Sequence, residues 1–324
     1  MKLITNKVVF KSGFTLIELI VSIVILAILA LGAFKATEAI AIRAKKIKVL
    51  TNLSLDTQAA IDQIATLLYD RIPESVIVYK PNGDFQPLEY SYDEDDNYTI
   101  LEWIGRAREV ENSCSSMFID LSTVSDDRYR FRSLDTNGTK IAQIIKTKFD
   151  LNSDAIYTNR VVNLIYPSRT NDVNTSFGWH GTSSKDSYDL DDINATGDIS
   201  ISSSEDANNS IYAIFYLVDS AYALARGEDV NISATCFNYL RDNNITLDKD
   251  TLFLFYNYRP WRGETFCGDK NTSINKEGNV TILMQNVTAL EVHQDGVAIR
   301  IKIDSFVDIN GYSKVHVSKQ KVIF

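Results

Sequence analysis

The feature that most constrains this chain is an apolar run near its N-terminus, residues 14–34, FTLIELIVSIVILAILALGAF. Glu18 is the only charged residue in the run. A helix rises about 1.5 Å per residue, so a run of this length crosses a hydrocarbon core of roughly 30 Å. We therefore predict a single transmembrane helix over 14–34.

The segment before the run, residues 1–13, is short, contains three lysines and lacks acidic residues. An ordinary secretory signal also starts with basic residues, but its apolar region is shorter and a small-x-small cleavage site follows it. Here the small residues Ser12 and Gly13 come before the run. The pattern favours a leader that is removed ahead of the helix, which then stays in the mature chain.

The junction K-S-G-F-T-L-I-E, which ends at Glu18, resembles the leader junction of type IV pilins and of the pseudopilins of type II secretion. In that family a prepilin peptidase cuts after the glycine on the cytoplasmic side and methylates the new N-terminal Phe. The resemblance implies a cut between Gly13 and Phe14, a pilin-like fold, and assembly with other pilins through an inner-membrane platform. It also implies a cytoplasmic leader and a periplasmic head, which reaches the cell surface in an assembled pilus.

The carboxylate of Glu18 needs a partner, because an acid inside a membrane span costs about 2.5–3.5 kcal/mol on insertion scales. No basic residue lies within 14–34. In the family the partner is the free α-amine of a neighbouring subunit, here that of Phe14, which exists only after cleavage. A Glu near a helix end can instead snorkel to the interface, and we expect this arrangement in the uncleaved chain.

Basic residues that follow the span conflict with this orientation. Residues 35–48 contain five Lys or Arg side chains and one acid, Glu38. Lys and Arg are enriched on the cytoplasmic side of a span. By this count the end that follows the span would be cytoplasmic, which is opposite to the orientation that the leader implies. We give precedence to the leader junction, because the peptidase acts in the cytoplasm. The basic cluster is then expected to meet outer lipid headgroups or acidic surfaces of neighbouring subunits.

Helical periodicity continues after the span until Pro73 stops it. We predict one helix from about Phe14 to Ile72, with a transmembrane part at 14–34 and an amphipathic extension at 35–73. Many major pilins carry a helix-breaking proline soon after the span. This chain has none before Pro73, which favours a minor pilin or pseudopilin.

Residues 74–324 have strand-like patterns, so the predicted fold class is α+β, a long helix packed on antiparallel β-sheet. The clearest hairpin joins 290–294 to 297–304 through Asp295-Gly296, a favoured type I′ turn pair. In the second strand Val297 and the isoleucines that alternate with polar residues after it predict one buried face. This late hairpin pattern loosely resembles that of the larger minor subunits of the PilW and GspJ types.

Two regions of the head have less regular patterns. Residues 167–210 are rich in Ser, Asp, Asn and Gly, and we predict a loop insertion there. The apolar runs 211–218 and 222–225 flank Asp219-Ser220 and are too short and polar for a second span.

Near the C-terminus, Val315 and Val317 suggest a last edge strand.

The three cysteines, Cys114, Cys236 and Cys267, all follow the span, and no pair has CxxC spacing. They can form at most one disulfide. We predict the pair Cys236–Cys267, because both residues flank strand-like runs in one region. The alternative is three small buried apolar residues.

Composition argues against nucleic-acid binding, because the net charge is −9 and becomes −12 when the three leader lysines are removed. The three histidines are scattered and no hydrolase, P-loop or dinucleotide motif is present. We expect no enzymatic activity and no cofactor. Calcium is the one metal considered, because clustered oxygen ligands suit it, although a solvated acidic turn explains the same residues: Asp189, Asp191, Asp192 and Asn194.

The chain has eleven Asn-x-Ser/Thr tripeptides, and nine of them carry an acid two residues before the Asn. These nine are Asn97, Asn137, Asn174, Asn194, Asn208, Asn231, Asn244, Asn271 and Asn279. With 42 acids in 324 residues, about one or two such cases are expected by chance. The pattern D/E-x-N-x-S/T resembles the acceptor of bacterial periplasmic N-glycosylation, whose transferase uses a cationic contact to the acid. Turn composition is the alternative, and glycosylation requires these asparagines on exposed loops.

These observations favour a structural minor pilin or pseudopilin that joins or primes a type IV pilus, a DNA-uptake system or a type II secretion pseudopilus. A second hypothesis is a tip adhesin that binds through aromatic loops such as Phe177–Trp179 or Tyr258–Trp261. A third is a periplasmic enzyme on a pilin-like anchor. Expected partners are other pilins, the prepilin peptidase, the assembly platform and membrane lipid.

Overall fold

The computed structural model describes residues 13, 15–81, 83–90, 98–112, 117–134, 136–149, 162–166, 172–202, 211–271, 273–309 and 313–324. Phe14, Asn97, Cys114 and Asn208 lie outside the described residues. The chain divides into two compact units, residues 1–52 with 308–315 and residues 53–307 with 316–324.

Helix α1 runs from Leu16 to Tyr69, so the predicted long N-terminal helix is confirmed. No residue between Leu16 and Asn52 is buried. Among the described residues, this is the one helix long and apolar enough to cross a membrane. Its apolar side chains have no protein to cover them in the isolated chain, which suits a segment solvated by lipid or by other helices.

The last part of α1 belongs to the head and packs on it. Its buried face is made by Leu53, Thr57, Ala60, Ile61, Ile64, Ala65 and Leu68. Lys321 forms an ion pair with Asp62 (Nζ to Oδ1, 2.7 Å), and the hydroxyls of Thr57 and Ser305 are 3.1 Å apart. The amphipathic extension predicted over 35–73 therefore has its buried face only from Leu53 onward. The residues before it are too exposed to form a packed face.

Helix α1 ends three residues before the position that the sequence predicted. Pro73 is the first residue of a short 3₁₀ turn, and Ile72 before it is extended (φ −81°, ψ 113°). A proline disfavours helical geometry in the residue before it, so the helix must stop earlier.

The three-stranded sheet beneath this part of α1 consists of β14 (Val287–Asp295), β15 (Ala298–Ile309) and β16 (Ser313–Ile323), in that order. The predicted hairpin is present, with Ile299, Ile301 and Ile303 fully buried. The last strand is also present, and Val315 and Val317 are buried in it.

The turn of the hairpin is one residue later than predicted. Asp295 pairs with Ala298, so the two turn residues are Gly296 and Val297, not Asp295 and Gly296. Gly296 takes the left-handed conformation (φ +59°), and Val297 is 77% exposed at the tip. Val297 therefore does not belong to the buried face, because the ladder from Asp295 to Ala298 leaves it in the loop.

The main sheet contains eleven described strands and is antiparallel. Its strands are β1 (Ile77–Tyr79), β2 (Phe85–Pro87), β3 (Ile100–Arg106), β4 (Ile119–Asp120), β5 (Arg130–Ser133), β6 (Asn163–Ile165), β7 (Ser187–Ile193), β8 (Asp198–Ser202), β9 (Tyr216–Arg226), β10 (Leu252–Tyr258) and β13 (Asn279–Met284). The order is β2-β1-β3-β9-β6-β7-β8-β5-β4, with β10 on β9 and β13 on β10. The α+β class is therefore confirmed.

The remaining described α-helices and strands are short. They are α2 (Arg108–Asn112), α3 (Gly138–Phe149), α4 (Val173–Ser176), α5 (Asn238–Asp242) and a parallel strand pair, β11 (Glu264–Phe266) with β12 (Asn275–Glu277). Two hydrophobic clusters among the described residues lie around the main sheet. One centres on β3, β9 and β10, and the other centres on β6 to β8 and α3.

Strand β9 is continuous through Asp219 and Ser220, where the sequence suggested a break between two runs. Both residues are buried. Lys148 on α3 reaches Asp219 with its ammonium (Nζ to Oδ2, 2.7 Å), so the buried carboxylate has a cationic partner. A tertiary contact from a distant helix thus allows the polar pair to remain inside a central strand.

The prediction of a loop insertion over 167–210 is wrong for the described part, residues 172–202. This part contains α4 and the strands β7 and β8. Tyr188, Leu190 and Ile193 on β7, with Ile199 and Ile201 on β8, form one buried face. The polar side chains between them are typical of a loop, although five of the twelve residues in β7 and β8 are buried and apolar.

Cys236 and Cys267 form a disulfide, the pair that the sequence favoured. Their Cα atoms are 6.3 Å apart, and the bond joins the segment before α5 to the residue after β11. Phe237 and Phe266, the neighbours of the two cysteines, are fully buried. The disulfide therefore links two segments that pack into the hydrophobic cluster around β3, β9 and β10.

Candidate functional site

The N-terminus of α1 is capped by its own side chains. Thr15 occupies the N-cap position, and both its backbone N–H and its hydroxyl donate to Glu18 Oε2, at 3.1 and 3.0 Å. The backbone N–H of Glu18 donates back to Thr15 Oγ1 at 3.4 Å. This is a capping box, which the sequence T-L-I-E encodes through a threonine followed three residues later by a glutamate.

The cap provides Glu18 with local hydrogen bonds in a single subunit. The sequence predicted that the uncleaved chain relies on snorkelling, and the structure shows that donors one turn away are available as well. Both bonds use Oε2, and no described residue donates to Oε1. Glu18 can therefore cap its own helix and still accept a bond from a further donor.

Gly13 precedes this cap at the predicted cleavage junction. A Cβ atom added to Gly13 would meet nothing within 4 Å. Packing in the described part of the chain therefore does not require a glycine at this position.

A second constellation lies inside the head and was not predicted. It consists of His180, Glu102, Asp269, Tyr79 and Tyr258, and we call it the His180 cluster. His180 Nε2 lies 2.8 Å from Glu102 Oε1, and Nδ1 lies 3.6 Å from Asp269 Oδ2. The side chains of the three charged residues are at most 3% exposed.

The two buried carboxylates are fully hydrogen bonded. Tyr258 donates its hydroxyl to Glu102 Oε2 (2.7 Å), and Tyr79 donates to Asp269 Oδ1 (2.8 Å). Asp269 also accepts from the hydroxyl of Thr265 and the backbone N–H of Asn271. The ring of Tyr79 stacks on the imidazole, with centroids 3.9 Å apart.

Electrostatics favours the charged forms of His180 and Asp269. Burial alone would lower the pKa of His180, but the attraction and hydrogen bonding of the two carboxylates outweigh it and raise that pKa to about 9. Burial likewise opposes ionisation of Asp269, yet His180 and the hydrogen-bond donors hold its pKa below the usual value. The imidazolium is therefore a buried cation that lies between the carboxyl groups of Glu102 and Asp269.

The local backbone places His180 in this position at some cost. His180 itself has a left-handed conformation (φ +49°), which is uncommon for a residue other than glycine. Gly178 also has positive φ (+79°), and a Cβ there would lie 2.4 Å from the carbonyl oxygen of Pro260. The glycine is required by this close approach, which turns the following residues toward Glu102 and Asp269.

The His180 cluster resembles a catalytic arrangement in composition but lacks access. Its charged groups are almost fully enclosed and are covered by aromatic rings, so a substrate could not touch them in this conformation. The cluster could not be predicted from spacing, because the partners are 78 and 89 residues from His180 along the chain. The glycines on either side of Trp179-His180 were the one local sign of a special backbone.

The aromatic loops that suggested a tip adhesin are not contact surfaces. Phe177 and Trp179 are 3% and 1% exposed, and Tyr258 and Trp261 are 0% and 5% exposed. They fill the hydrophobic cluster around β3, β9 and β10. These residues therefore pack in the core of the head, and the adhesin hypothesis loses the feature that supported it.

The acidic residues considered for calcium do not converge. Asp189 is buried and accepts a hydrogen bond from Asn163, whereas Asp191 and Asp192 are exposed on the same strand. Asn194 accepts hydrogen bonds within its own turn from Thr196 and Asp198. Within the described ranges, no group of three or more His, Cys, Asp or Glu side chains is arranged to hold a metal ion.

The predicted acceptor asparagines lie mostly on the surface. Seven of the nine are among the described residues. Six of these seven are exposed, namely Asn137, Asn174, Asn194, Asn231, Asn244 and Asn279, and Asn271 is half-buried.

A comparison with family models matches residues 10–34 to the prokaryotic N-terminal methylation motif. This match covers the leader junction, Glu18 and the apolar first third of α1. Comparisons with curated proteins and with solved structures find no match for the chain.

Proposed function

The chain carries the prepilin-type N-terminal motif and the long apolar helix of the type IV pilin family, and from this we propose that it is a structural minor pilin or pseudopilin. Together these features fit a single-pass inner-membrane anchor. We propose the orientation that the leader implies, with the N-terminus in the cytoplasm and the head in the periplasm. The subunit then joins or primes a filament of a type IV pilus, DNA-uptake or type II secretion system.

The observation that carries the proposal is the exposure of the apolar part of α1 together with its single acid. From Leu16 to Asn52 no residue is buried, so this surface is free to pack against lipid or against other helices of the same kind. Cleavage after Gly13 would free an α-amine on Phe14, next to the capped start of the helix. In an assembled filament, that charged amine would lie at the membrane depth of Glu18 in a neighbouring subunit. It would then be the cationic partner that a buried carboxylate needs.

The head supports a low-copy position, such as the tip, over the repeating shaft. About 250 residues follow Pro73, and a domain of this size is difficult to repeat along a thin fibre. The helix lacks the early proline of many major pilins. We propose no enzymatic activity for the head, since its most catalytic-looking cluster is enclosed.

Leader removal provides the first test. We expect Gly13→Leu to keep residues 1–13 in cells that process the wild-type chain, because a bulky side chain would occupy the place that the peptidase recognises. Gly32→Leu is the matched control, since Gly32 also has no atom within 4 Å of an added Cβ. Its leader should be removed normally.

The measurement is the intact mass and N-terminal peptide of each protein purified from its native host. The wild type and Gly32→Leu should begin at Phe14 with one added methyl group. A wild-type chain that retains its leader in a host with an active prepilin peptidase would overturn the proposed function.

A further inference from the structure

The acidic tripeptides are the one sequence pattern that the proposed function leaves unexplained. An acid stands two residues before the Asn in nine of eleven cases. Turn chemistry explains part of this spacing, because an aspartate can accept from the backbone N–H two residues on, as at Asn174 and Asn271. It does not explain the acids before Asn194 and Asn244, whose backbone N–H groups donate to main-chain carbonyls instead. The structure shows which of these tripeptides present all of their polar groups to solvent.

Two of the described sites expose the acid, the Asn and the hydroxyl residue together. In one, Asp192, Asn194 and Thr196 are exposed at the turn between β7 and β8. In the other, Asp242, Asn244 and Thr246 are exposed after α5. An enzyme that contacts all three groups could reach them without unfolding the head.

At three other sites one of the recognition groups is enclosed. The acids before Asn231 and Asn271 are Asp229 and Asp269, which are 8% and 1% exposed. Asp269 is also held in the His180 cluster. At Asn174 the hydroxyl residue is Ser176, which is 0% exposed and donates to the backbone carbonyl of Asp172. Asn279 lies within β13, whose ladder with β10 opposes bending into an enzyme.

Asn244 presents the most accessible amide. It is in the left-handed conformation (φ +56°), and the backbone N–H groups of Asn244 and Ile245 donate to the carbonyls of Arg241 and Leu240. This is the Schellman end of a helix, which directs the chain away from the surface of α5. The side-chain amide of Asn244 makes no hydrogen bond to another described residue. The amide of Asn194, by contrast, donates to Asp198 (2.8 Å) in an exposed turn.

We propose that Asn244 and Asn194 are sites of N-linked glycosylation, selected by the exposed acid two residues before each of them. The donor would be an oligosaccharide linked to a lipid diphosphate. The side-chain amide nitrogen would form a bond to the anomeric carbon of the first sugar and lose a proton, and the bond from that carbon to the diphosphate oxygen would break. No redox partner is needed. The inference rests on the proposed function, because it requires the head to lie outside the cytoplasm.

The test is glycopeptide mapping and intact-mass measurement of the full chain from its native host. We expect glycan on Asn244 and Asn194, several-fold lower occupancy on Asn174, Asn231 and Asn271, and none on Asn52 or Asn286. The last two lack the acid, and both are exposed. If these two exposed asparagines carry no glycan, exposure alone does not determine modification and the acid is required.

Variants of the acid give the sharper result. Asp242→Asn should abolish glycan on Asn244 and leave Asn194 modified, whereas Asp242→Glu should preserve both. A bare mature chain, glycan on Asn244 that survives Asp242→Asn, or equal occupancy of exposed and enclosed sites would each overturn the proposal. The N-terminal peptide of the same sample reports leader removal separately, so failure of glycosylation is distinguishable from failure of the proposed function.

Discussion

Replacing Glu102 by glutamine is expected to destabilise the head by about 3–5 kcal/mol, the usual cost of breaking a buried ion pair. Glu102 accepts from His180 on one oxygen and from the hydroxyl of Tyr258 on the other. Glutamine offers one acceptor oxygen, and its NH₂ group would face a second donor. The substitution also leaves the imidazolium with a single carboxylate, Asp269.

Chemical denaturation of the detergent-solubilised full chain, followed by the fluorescence of the buried tryptophans, measures this effect. Glu291→Gln is the control, because Glu291 forms an exposed ion pair with Lys302 (Nζ to Oε1, 2.9 Å). Exposed pairs contribute at most about 1 kcal/mol. Equal unfolding midpoints for the two variants would contradict the role assigned to the His180 cluster.

The same cluster sets a pH dependence with a definite sign. The pKa of His180 is raised from 6.5 to about 9 by folding, so its stabilisation is complete below pH 6.5. It is lost as the pH rises from 6.5 to 9, at about 1.4 kcal/mol per pH unit at most. The pKa of Asp269 is lowered, so its contribution is lost as the pH falls through the acid range. Glu102→Gln should flatten the alkaline decline, and an unchanged slope would argue against a charged His180.

The second large effect is expected at Glu18. We expect Glu18→Ala to be inserted and processed but to enter filaments about ten- to a hundredfold less than the wild type. A hydrogen bond to a charged group contributes about 1.5–3 kcal/mol, which corresponds to that range. The measurement is the amount of the chain in sheared filaments or crosslinked complexes relative to the amount in membranes. Glu38→Ala, an acid on the same helix beyond the span, is the control and should enter normally.

A further variant separates the two roles of Glu18. Glutamine can complete a capping box with Thr15 but carries no charge. If the carboxylate pairs with the α-amine of a neighbouring Phe14, Glu18→Gln should fail as Glu18→Ala does. If Glu18 only caps its own helix, Glu18→Gln should assemble like the wild type, which would contradict the proposed pairing.

The span and the two ends of helix α1 could be predicted from the sequence because their determinants are local. The length of the apolar run, the proline at 73 and the T-L-I-E box define the span, the end and the start of α1 within a few neighbouring residues. The sequence also predicts hairpin β14–β15, but the turn in the structure is one residue later than predicted. Asp-Gly and Gly-Val are both compatible with a tight turn, and the cross-strand register decides between them.

The core of the head could not be predicted in this way, because its polar residues are satisfied by distant partners. Asp219 looked like a break until Lys148, on another element, supplied its counter-charge. His180 looked like a scattered histidine, since Glu102 and Asp269 approach it only after β3 and the segment after β11 come together. Strand β7 has the composition of a loop because it contains three acids, which the structure either exposes or bonds across the sheet.

The central claim is that the apolar helix packs against the helices of other pilin-like subunits. The most direct test is a photo-crosslinking residue at Ile25, which is 52% exposed in the isolated chain, introduced into cells that are assembling filaments. We predict crosslinks to the N-terminal helices of other pilins or pseudopilins, and their loss when Glu18→Ala is combined with the probe. Crosslinks to lipid alone in the otherwise wild-type chain would contradict the claim.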